Sequence, residues 1–276
     1  MEQLLDSALR EKIDALFVTN HNTLQGYNEI LTYQQNHHKY YNVKIYPAEE
    51  ITVENGGHVL AYGIHQTIRP GMTLEETLDQ IRLQNAVSCA AHPFAVSNGI
   101  RGKASLCNLI ESFNSNNVDI FSNILANKFA EHHKMHTIAG SDSHVHSTIG
   151  RCKNTIESEN NIDSIVYNLF RGGSKINRVN YATKKELYEH AYYVLYNSSE
   201  ALLNYVSEYH PNAYHMFKWA LKSFTSKPDS QFWYTLALFG LYLTKRVSKK
   251  VNVGGYTPEI LQDRSWRKLI SLALVP

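Results

Sequence analysis

The chain has three cysteines in 276 residues, and no two of them are spaced Cys-x-x-Cys. This scarcity argues against a disulfide framework and against a cysteine-ligated zinc module, and it suits a reducing compartment. The first residues carry neither a basic start nor an apolar run, so no secretory signal peptide is predicted. Together these absences predict a cytoplasmic protein.

Several signatures of common enzyme classes are also missing. Without a glycine-rich nucleotide loop, kinase, NTPase and Rossmann interpretations have no basis, and no Ser/His/Asp triad is visible. The net charge of +2 does not indicate a strongly basic nucleic-acid binder. The hydrophobic fraction of 43% excludes global disorder, and the length allows one large domain or one domain with a smaller appendage.

Charge and histidine are distributed unevenly along the chain. Residues 1–150 hold 10 Lys+Arg against 15 Asp+Glu, whereas residues 151–276 hold 17 against 10. Eleven of the 14 histidines lie before residue 150. A histidine-rich, acidic first part followed by a basic second part predicts a cation-binding unit and a separate unit with another role.

Apolar runs alternate with helical patterns over roughly the first 140 residues. Strands are predicted at residues 14–19, 43–48, 58–64, 86–91, 109–113 and 137–140, and helices at 1–13, 26–40, 73–85 and 122–135. Thr73 and Glu76 have the spacing of a capping box that opens the third helix. This alternation predicts an α/β fold of βα units with a parallel sheet or barrel.

The pattern after about residue 180 is mainly helical and rich in tyrosine. Helices are predicted at residues 186–206 and 214–224, and residues 232–244 form an intensely apolar stretch that is too short to span a bilayer. A buried core helix is the favoured interpretation of that stretch. A membrane-surface anchor is the minor alternative, because four basic residues follow it, namely Lys245, Arg246, Lys249 and Lys250.

Side chains that bind metals cluster where the predicted strands end. They are His21, Glu49 or Glu50, His92, Asp142 and His144, with His58 at or near the start of its own strand. Because the carboxyl ends of parallel strands converge on one face, these side chains are expected to meet in space. Imidazole and carboxylate groups are ligands for zinc, manganese or iron, and one carboxylate can bridge two cations. The sequence therefore predicts a metal site that activates water.

Not every candidate is assigned to this site. A lone histidine is more often structural or exposed than a ligand, so five histidines placed in predicted helices receive no functional role: His37, His38, His132, His133 and His136. His65 and His146 are left open. Glu49 and Glu50 are adjacent, so only one of them can face the site from a strand.

These residues and their order resemble the PHP family, the polymerase and histidinol phosphatase superfamily of metal-dependent phosphoesterases. The segments that carry the resemblance are DALFVTNHNT (14–23), AEEIT (48–52), GHVLAYG (57–63), AHP (91–93), IESFN (110–114) and GSDSH (140–144), followed by Ile149 and Gly150. The resemblance implies a distorted (β/α)7 barrel, missing its first strand, over residues 1–178, and a mainly helical region over residues 179–276.

The resemblance also implies a role for each candidate metal ligand and a set of cofactors. Two or three Zn, Mn or Fe ions would be held, with Glu50 bridging two of them. The other implied ligands are His58 and His92 for the second metal, Asp142 for the first, and His21 and His144 for the third.

The implied reaction is hydrolysis of a phosphoester in a nucleotide, an oligonucleotide or a small phosphomonoester. His21 or His144 would act as an acid or base. Asn22, Thr23 and Arg101 are suggested as phosphate contacts or as supports of the site, although a solvated loop cation suits Arg101 equally well.

The sequence departs from the family pattern at two places. Asn20 stands where the family has aspartate, and because an amide carries no negative charge, the third metal site is in question. No His-x-His precedes His21, although that motif supplies ligands of the first metal in the family. Either the natural chain starts earlier, which the surviving ligands favour, or a shorter protein has lost its activity.

A second class of function stays open beside the enzyme. The chain could be a catalytically impaired binding or regulatory module whose basic C-terminal part contacts nucleic acid, membrane or a protein partner. The expected partner of the enzyme is a phosphorylated small molecule or nucleotide. Nucleic acid is an open alternative, and peripheral membrane contact is less favoured.

Overall fold

The computed structural model describes residues 1–256 and 272–274, which form a mixed α/β protein with a helical C-terminal part. The strands are β1 (Ala15–His21), β2 (Lys44–Thr52), β3 (His58–Tyr62), β4 (Val87–Ala90), β5 (Leu109–Asn114), β6 (His136–Gly140), β7 (Cys152–Ile156) and β8 (Ser174–Val179). The α-helices are α1 (Glu2–Arg10), α2 (Gln25–Gln35), α3 (Leu74–Leu83), α4 (Ile120–His133), α5 (Ile162–Phe170), α6 (Lys184–Asn197), α7 (Ser199–Tyr209), α8 (Tyr214–Ser226) and α9 (Gln231–Asn252).

Strands β1 to β6 form one curled sheet in chain order. The β1–β2, β4–β5 and β5–β6 pairs are parallel, whereas β3 is antiparallel to both β2 and β4. The predicted α/β class is confirmed, but the all-parallel sheet is wrong. The chain between β2 and β3 is a short turn containing Glu54–Gly56, which is too short for a crossover connection, so the two strands form a hairpin.

Within the described residues the sheet is a half-barrel of six strands, and the seven-stranded barrel that the resemblance implies is not confirmed. Strands β7 and β8 form a separate antiparallel pair beside β6. The side chain of Asn154 joins the two sheets, because its Oδ1 accepts from the Ala139 N–H at 3.0 Å and its Nδ2 donates to the Ala139 carbonyl at 2.8 Å.

Helix α3 shows how the sequence covers one face of the sheet. The Thr73 and Glu76 capping box is present and fixes the start of the helix. Leu74, Leu78 and Ile81 follow at helical spacing and are all buried, and they pack in one cluster with sheet residues such as Val59 and Ile110. Burying an aliphatic side chain contributes about 1.5–3 kcal/mol, so this one face supplies much of the local stability.

The C-terminal helices differ from the sequence-based expectation. The helix predicted at residues 186–206 is divided into α6 and α7 at Ser198. The apolar stretch is part of α9, but it is not a buried core helix, because four of its large side chains are strongly exposed: Phe232 (64%), Leu236 (49%), Phe239 (51%) and Tyr242 (54%). No helix in the described part of the chain combines the length and apolar character needed to cross a membrane.

Helix α9 is anchored through its C-terminal turns instead. Val247, Ser248 and Val251 are buried there. Asn252 donates from Nδ2 to the Phe94 carbonyl at 3.1 Å and accepts from Arg101 Nη2 at 2.8 Å. The apolar residues of the stretch lie all around the helix rather than on one face, so one packing contact cannot bury them.

Candidate metal centre

A cavity of about 540 Å³ opens at the edge of the sheet where β1 and β2 end. It is lined by all six residues that the sequence predicts as metal ligands, namely His21, Glu50, His58, His92, Asp142 and His144. The antiparallel direction of β3 explains how His58 reaches it. Because β3 runs against β2, its first residue pairs with Thr52 at the end of β2. The structure brings the six side chains together, and their chemical roles stay predictions.

Glu50 lies at the centre of this group. Its Oε1 is 2.7 Å from His58 Nδ1 and 3.0 Å from His92 Nε2, and its Oε2 is 3.5 Å from His21 Nε2. One ligand atom from each of His21, Glu50 and His58 lies within 4.8 Å of the others, a grouping that could hold a metal ion. Donors of this kind, without a thiolate, fit zinc, manganese or iron.

Glu49 faces the opposite side of β2, as the strand pleat requires. It is fully buried, and its Oε2 accepts a hydrogen bond from the Ile68 N–H at 3.0 Å. Burial raises the pKa of Glu49, and no cationic group contributes to the shift. Of the two adjacent carboxylates, only Glu50 is placed to bind a cation in the cavity.

Burial and pairing compete in setting the charges of this cluster. Burial favours a raised pKa for Glu50, but hydrogen bonds from His58 and His92 and the charges of nearby histidines hold that pKa well below its usual range. Burial favours a lowered pKa for His92, and the hydrogen bond and charge of Glu50 outweigh it and raise the pKa. Glu50 is therefore an anion held by imidazole N–H groups, and a bound metal would have to displace the protons of those groups.

Like His144, His21 is partly exposed to solvent. Burial is the largest cause of its lowered pKa, and the neighbouring His58 and His144 lower the pKa further, against the opposing charge of Glu50. Its ring lies 4.9 Å from that of His58 and 6.3 Å from that of His144, measured between centroids. A neutral imidazole at this position can accept a proton.

Asp142 and His144 form the other side of the cavity. His144 Nδ1 lies 3.4 Å from Asp142 Oδ1. Three residues at the carboxyl ends of strands have positive φ angles that side chains rarely adopt, namely Asn22 (55°), His92 (27°) and Asp142 (47°). Strained backbone of this kind concentrates at functional sites. All three lie at the edge of the sheet where the candidate ligands meet, and five other non-glycine residues with positive φ lie elsewhere in the described residues.

Glu111 is a buried carboxylate beside the cluster that was not among the predicted site residues. Its Oε2 accepts from the His92 N–H at 2.7 Å and from Asn114 Nδ2 at 3.0 Å. Burial raises the pKa of Glu111 to about 7, although the charge of His92 opposes the rise. A β-bulge between Glu111 and Phe113 brings Asn114 to the side of Glu111. The sequence signal was present, because Glu111 lies in the IESFN segment (110–114) that carries the resemblance to the PHP family.

Gly140 offers a direct test of how closely Glu111 is packed. A Cβ at residue 140 would lie 1.7 Å from Glu111 Oε1. Gly140→Ala is therefore expected to push the carboxylate off its two donors and to lower the free energy of unfolding by about 1–3 kcal/mol, measured by urea denaturation. Gly240→Ala is the control, because nothing lies within 4 Å of its Cβ and the change within α9 should be neutral or stabilising. Equal stability of both variants would contradict this packing.

None of the three predicted phosphate contacts lines the cavity. Asn22 joins the end of β1 to β2, since its Oδ1 accepts from the Thr52 N–H at 2.8 Å. Thr23 Oγ1 accepts from the Gln25 N–H at 3.1 Å at the start of α2. Arg101 bonds to Asn252, and its guanidinium lies over the Phe94 ring at 5.5 Å. These positions give the three residues structural contacts and do not support the predicted substrate contacts.

Helix α6 supplies a wall of the cavity that sequence reasoning missed. His190, Tyr193, Val194 and Asn197 line it, although they belong to the predicted helical region after residue 178. The ring of His190 stacks on that of His144, with a centroid distance of 3.8 Å and an interplanar angle of 18°. Burial and the charge of His144 lower the pKa of His190 to about 4. The predicted domain boundary therefore does not separate the cavity from the C-terminal helices.

Comparisons with known proteins extend this description. The sequence model of a family described as PHP-associated matches residues 121–172, which indicates an association with the PHP superfamily. No curated protein matches the chain. A solved structure that is similar to this chain is the crystal structure of PsfC from Pseudomonas syringae PB-5123. The identity is 19%, the TM-score is 0.49, and the alignment covers 70% of this chain and 87% of that chain.

Proposed function

We propose that this protein is a metal-dependent phosphoesterase that hydrolyses a phosphoester with metal-activated water. The observation that carries the proposal is Glu50, a buried carboxylate whose two oxygens face nitrogens of three histidines. Asp142 and His144 line the same cavity and add a second pair of donors. The match to a PHP-associated family supports the same chemistry.

The residues present fit a metal centre of this kind. His21, Glu50 and His58 would hold one cation. His92, whose Nε2 lies 3.0 Å from Glu50 Oε1, would add a ligand, and Asp142 with His144 would hold another cation. Bound zinc, manganese or iron would supply Lewis-acid chemistry that lowers the pKa of water and neutralises phosphate charge. His21 is also the candidate proton carrier, because its lowered pKa leaves the ring neutral near pH 7.

The dimensions of the cavity favour a small substrate. Its volume of about 540 Å³ lies within the range of small-molecule sites. Helix α6 closes one side with Tyr193 and Asn197. A nucleotide or a small phosphomonoester therefore fits the site better than a long nucleic acid.

The proposal is tested with the purified chain, a generic phosphomonoester such as p-nitrophenyl phosphate, and a panel of nucleoside phosphates. Hydrolysis is expected when Mn²⁺ or Zn²⁺ is added and is expected to stop when a chelator removes the metal. Metal content is measured in parallel. If the protein binds metal but hydrolyses no phosphoester, the proposed phosphoesterase activity is wrong.

The exposed face of α9 supports a second candidate function, which is contact with an anionic membrane surface. Phe232, Leu236 and Phe239 follow one another at helical spacing and are exposed. Lys249 lies seven residues after Tyr242, and both are exposed, so basic character continues along the exposed side of the helix. Apolar groups next to basic ones are typical of interfacial helices.

Cosedimentation with phosphatidylserine-containing vesicles tests this second candidate. Binding is expected to fall when Phe232 and Phe239 are both changed to Ser and to persist with Leu83→Ser, a control at an exposed leucine of α3. Pure phosphatidylcholine vesicles should bind less. Equal sedimentation of the double variant and the unchanged protein, or retention on DNA alone, would contradict membrane contact.

A further inference from the structure

The imidazole of His190 enters the cavity from a helix outside the half-barrel. It lines the cavity together with Asp142 and stacks on His144. The donors that face Glu50 all come from the edge of the sheet or the loops next to it, so His190 is additional to that set. Its role depends on which ring nitrogen carries the proton.

The contact with Asn116 indicates which ring nitrogen of His190 carries the proton. Asn116 Nδ2 lies 3.5 Å from Asp142 Oδ2 and 3.3 Å from His190 Nδ1. Because a carboxylate only accepts hydrogen bonds, the Asn116 atom that faces Asp142 is the amide NH2 group. The same group therefore donates to Nδ1 of His190. An imidazole that accepts at Nδ1 is neutral and carries its proton on Nε2.

A hydrogen-bond network at the end of β5 holds the backbone of Asn116 in place. The Asn116 backbone N–H donates to Asn114 Oδ1 at 2.9 Å, and Asn114 Nδ2 donates to Glu111 Oε2 at 3.0 Å. Asn123 Oδ1 accepts from the Asn114 backbone N–H at 3.0 Å. These contacts fix the backbone of Asn116, and Asp142 then orients its side-chain amide so that the NH2 group faces Nδ1 of His190.

We propose that His190 binds the substrate, with Nε2–H donating to an oxygen of the phosphoryl group. The inference rests on the proposed function and extends the site into the C-terminal helices. Among the residues that the structure describes, none is seen to accept from Nε2 of His190. The residues predicted to contact phosphate lie elsewhere, so a phosphoryl group in this cavity needs a donor. Hydrogen bonds to an anionic oxygen are stronger than neutral ones, which makes this donor effective.

The test combines three variants with two readouts. His190→Phe keeps a stacking ring and removes the N–H, whereas His190→Gln keeps a donor. His215→Phe is the matched control, an exposed histidine of α8. The readouts are the affinity of the metal-loaded protein for inorganic phosphate, measured by calorimetry, and the bound metal per chain. Melting temperatures establish that each variant is folded.

We expect His190→Phe to bind phosphate roughly tenfold to hundredfold more weakly than the unchanged protein and to keep the same metal content. His190→Gln should stay within about threefold of the unchanged protein, and His215→Phe should match it. If His190→Phe binds phosphate as tightly as the unchanged protein, and the unchanged protein hydrolyses phosphoesters, only the inference about His190 is wrong. Loss of metal from His190→Phe also overturns it, because His190 would then be a ligand. A metal-loaded protein that neither binds phosphate nor hydrolyses a phosphoester overturns the proposed function as well.

Discussion

Glu50→Gln is expected to abolish metal uptake and, with it, phosphoester hydrolysis. Glutamine has the same shape but lacks the negative charge that would attract a cation, and its NH2 group would face imidazole nitrogens. Replacing residues that only orient ligands costs about 10–100-fold in affinity or activity, so loss of the central carboxylate is expected to exceed that range. Metal content after dialysis and kcat/KM for a phosphomonoester measure the effect.

Glu49→Gln is the matched control for this experiment. Glu49 is adjacent in sequence, equally buried, and oriented to the opposite face of β2. The control variant should retain both metal and activity, because the hydrogen bond from Ile68 can be accepted by an amide oxygen. If Glu50→Gln binds as much metal as Glu49→Gln, Glu50 is not a ligand and the proposed centre is wrong.

The positions of most candidate ligands follow from the sequence for a physical reason. His21 and Asp142 lie directly at the ends of apolar runs, and parallel strands place such ends at one edge. His58 does not follow this rule, because it starts a strand. The short turn before it forces β3 to run antiparallel, and only that reversal brings His58 to the same edge. The motif around His58 indicated a role for it, but its position in the site could be derived only from the order and direction of the strands.

Other parts of the site depend on features that no sequence pattern reports. A β-bulge places Asn114 beside Glu111, and a bulge shifts the two-residue alternation on which strand reasoning depends. His190 reaches the cavity through the packing of α6, far along the chain from every motif. The exposed face of α9 is a similar case, since the apolar composition of residues 232–244 predicted burial, whereas burial depends on whether one face finds a partner.

A change of Glu111 to glutamine is expected to stabilise the metal-free protein at alkaline pH and to have little effect at acid pH. The folded-state pKa is raised from 4.5 to about 7 by burial. Below pH 4.5 both the folded and the unfolded state keep the proton, so the residue contributes nothing. As pH rises towards 7, the unfolded state releases the proton while the folded state retains it, and stability is lost. Glutamine removes this loss and can still accept from His92 and Asn114.

The expected gain at pH 8 is about 1–3 kcal/mol in the free energy of unfolding, since each pKa unit corresponds to about 1.4 kcal/mol. Urea denaturation at pH 4.5 and pH 8, after removal of metal, measures the difference. Glu131→Gln, at an exposed position of α4, should change stability by less than about 0.5 kcal/mol at either pH. A glutamine variant that is less stable than the unchanged protein at pH 8 would mean that the ionised Glu111 stabilises the fold. His92 would then have to stabilise that charge. The conclusion that burial keeps the Glu111 carboxyl group protonated near neutral pH would be wrong.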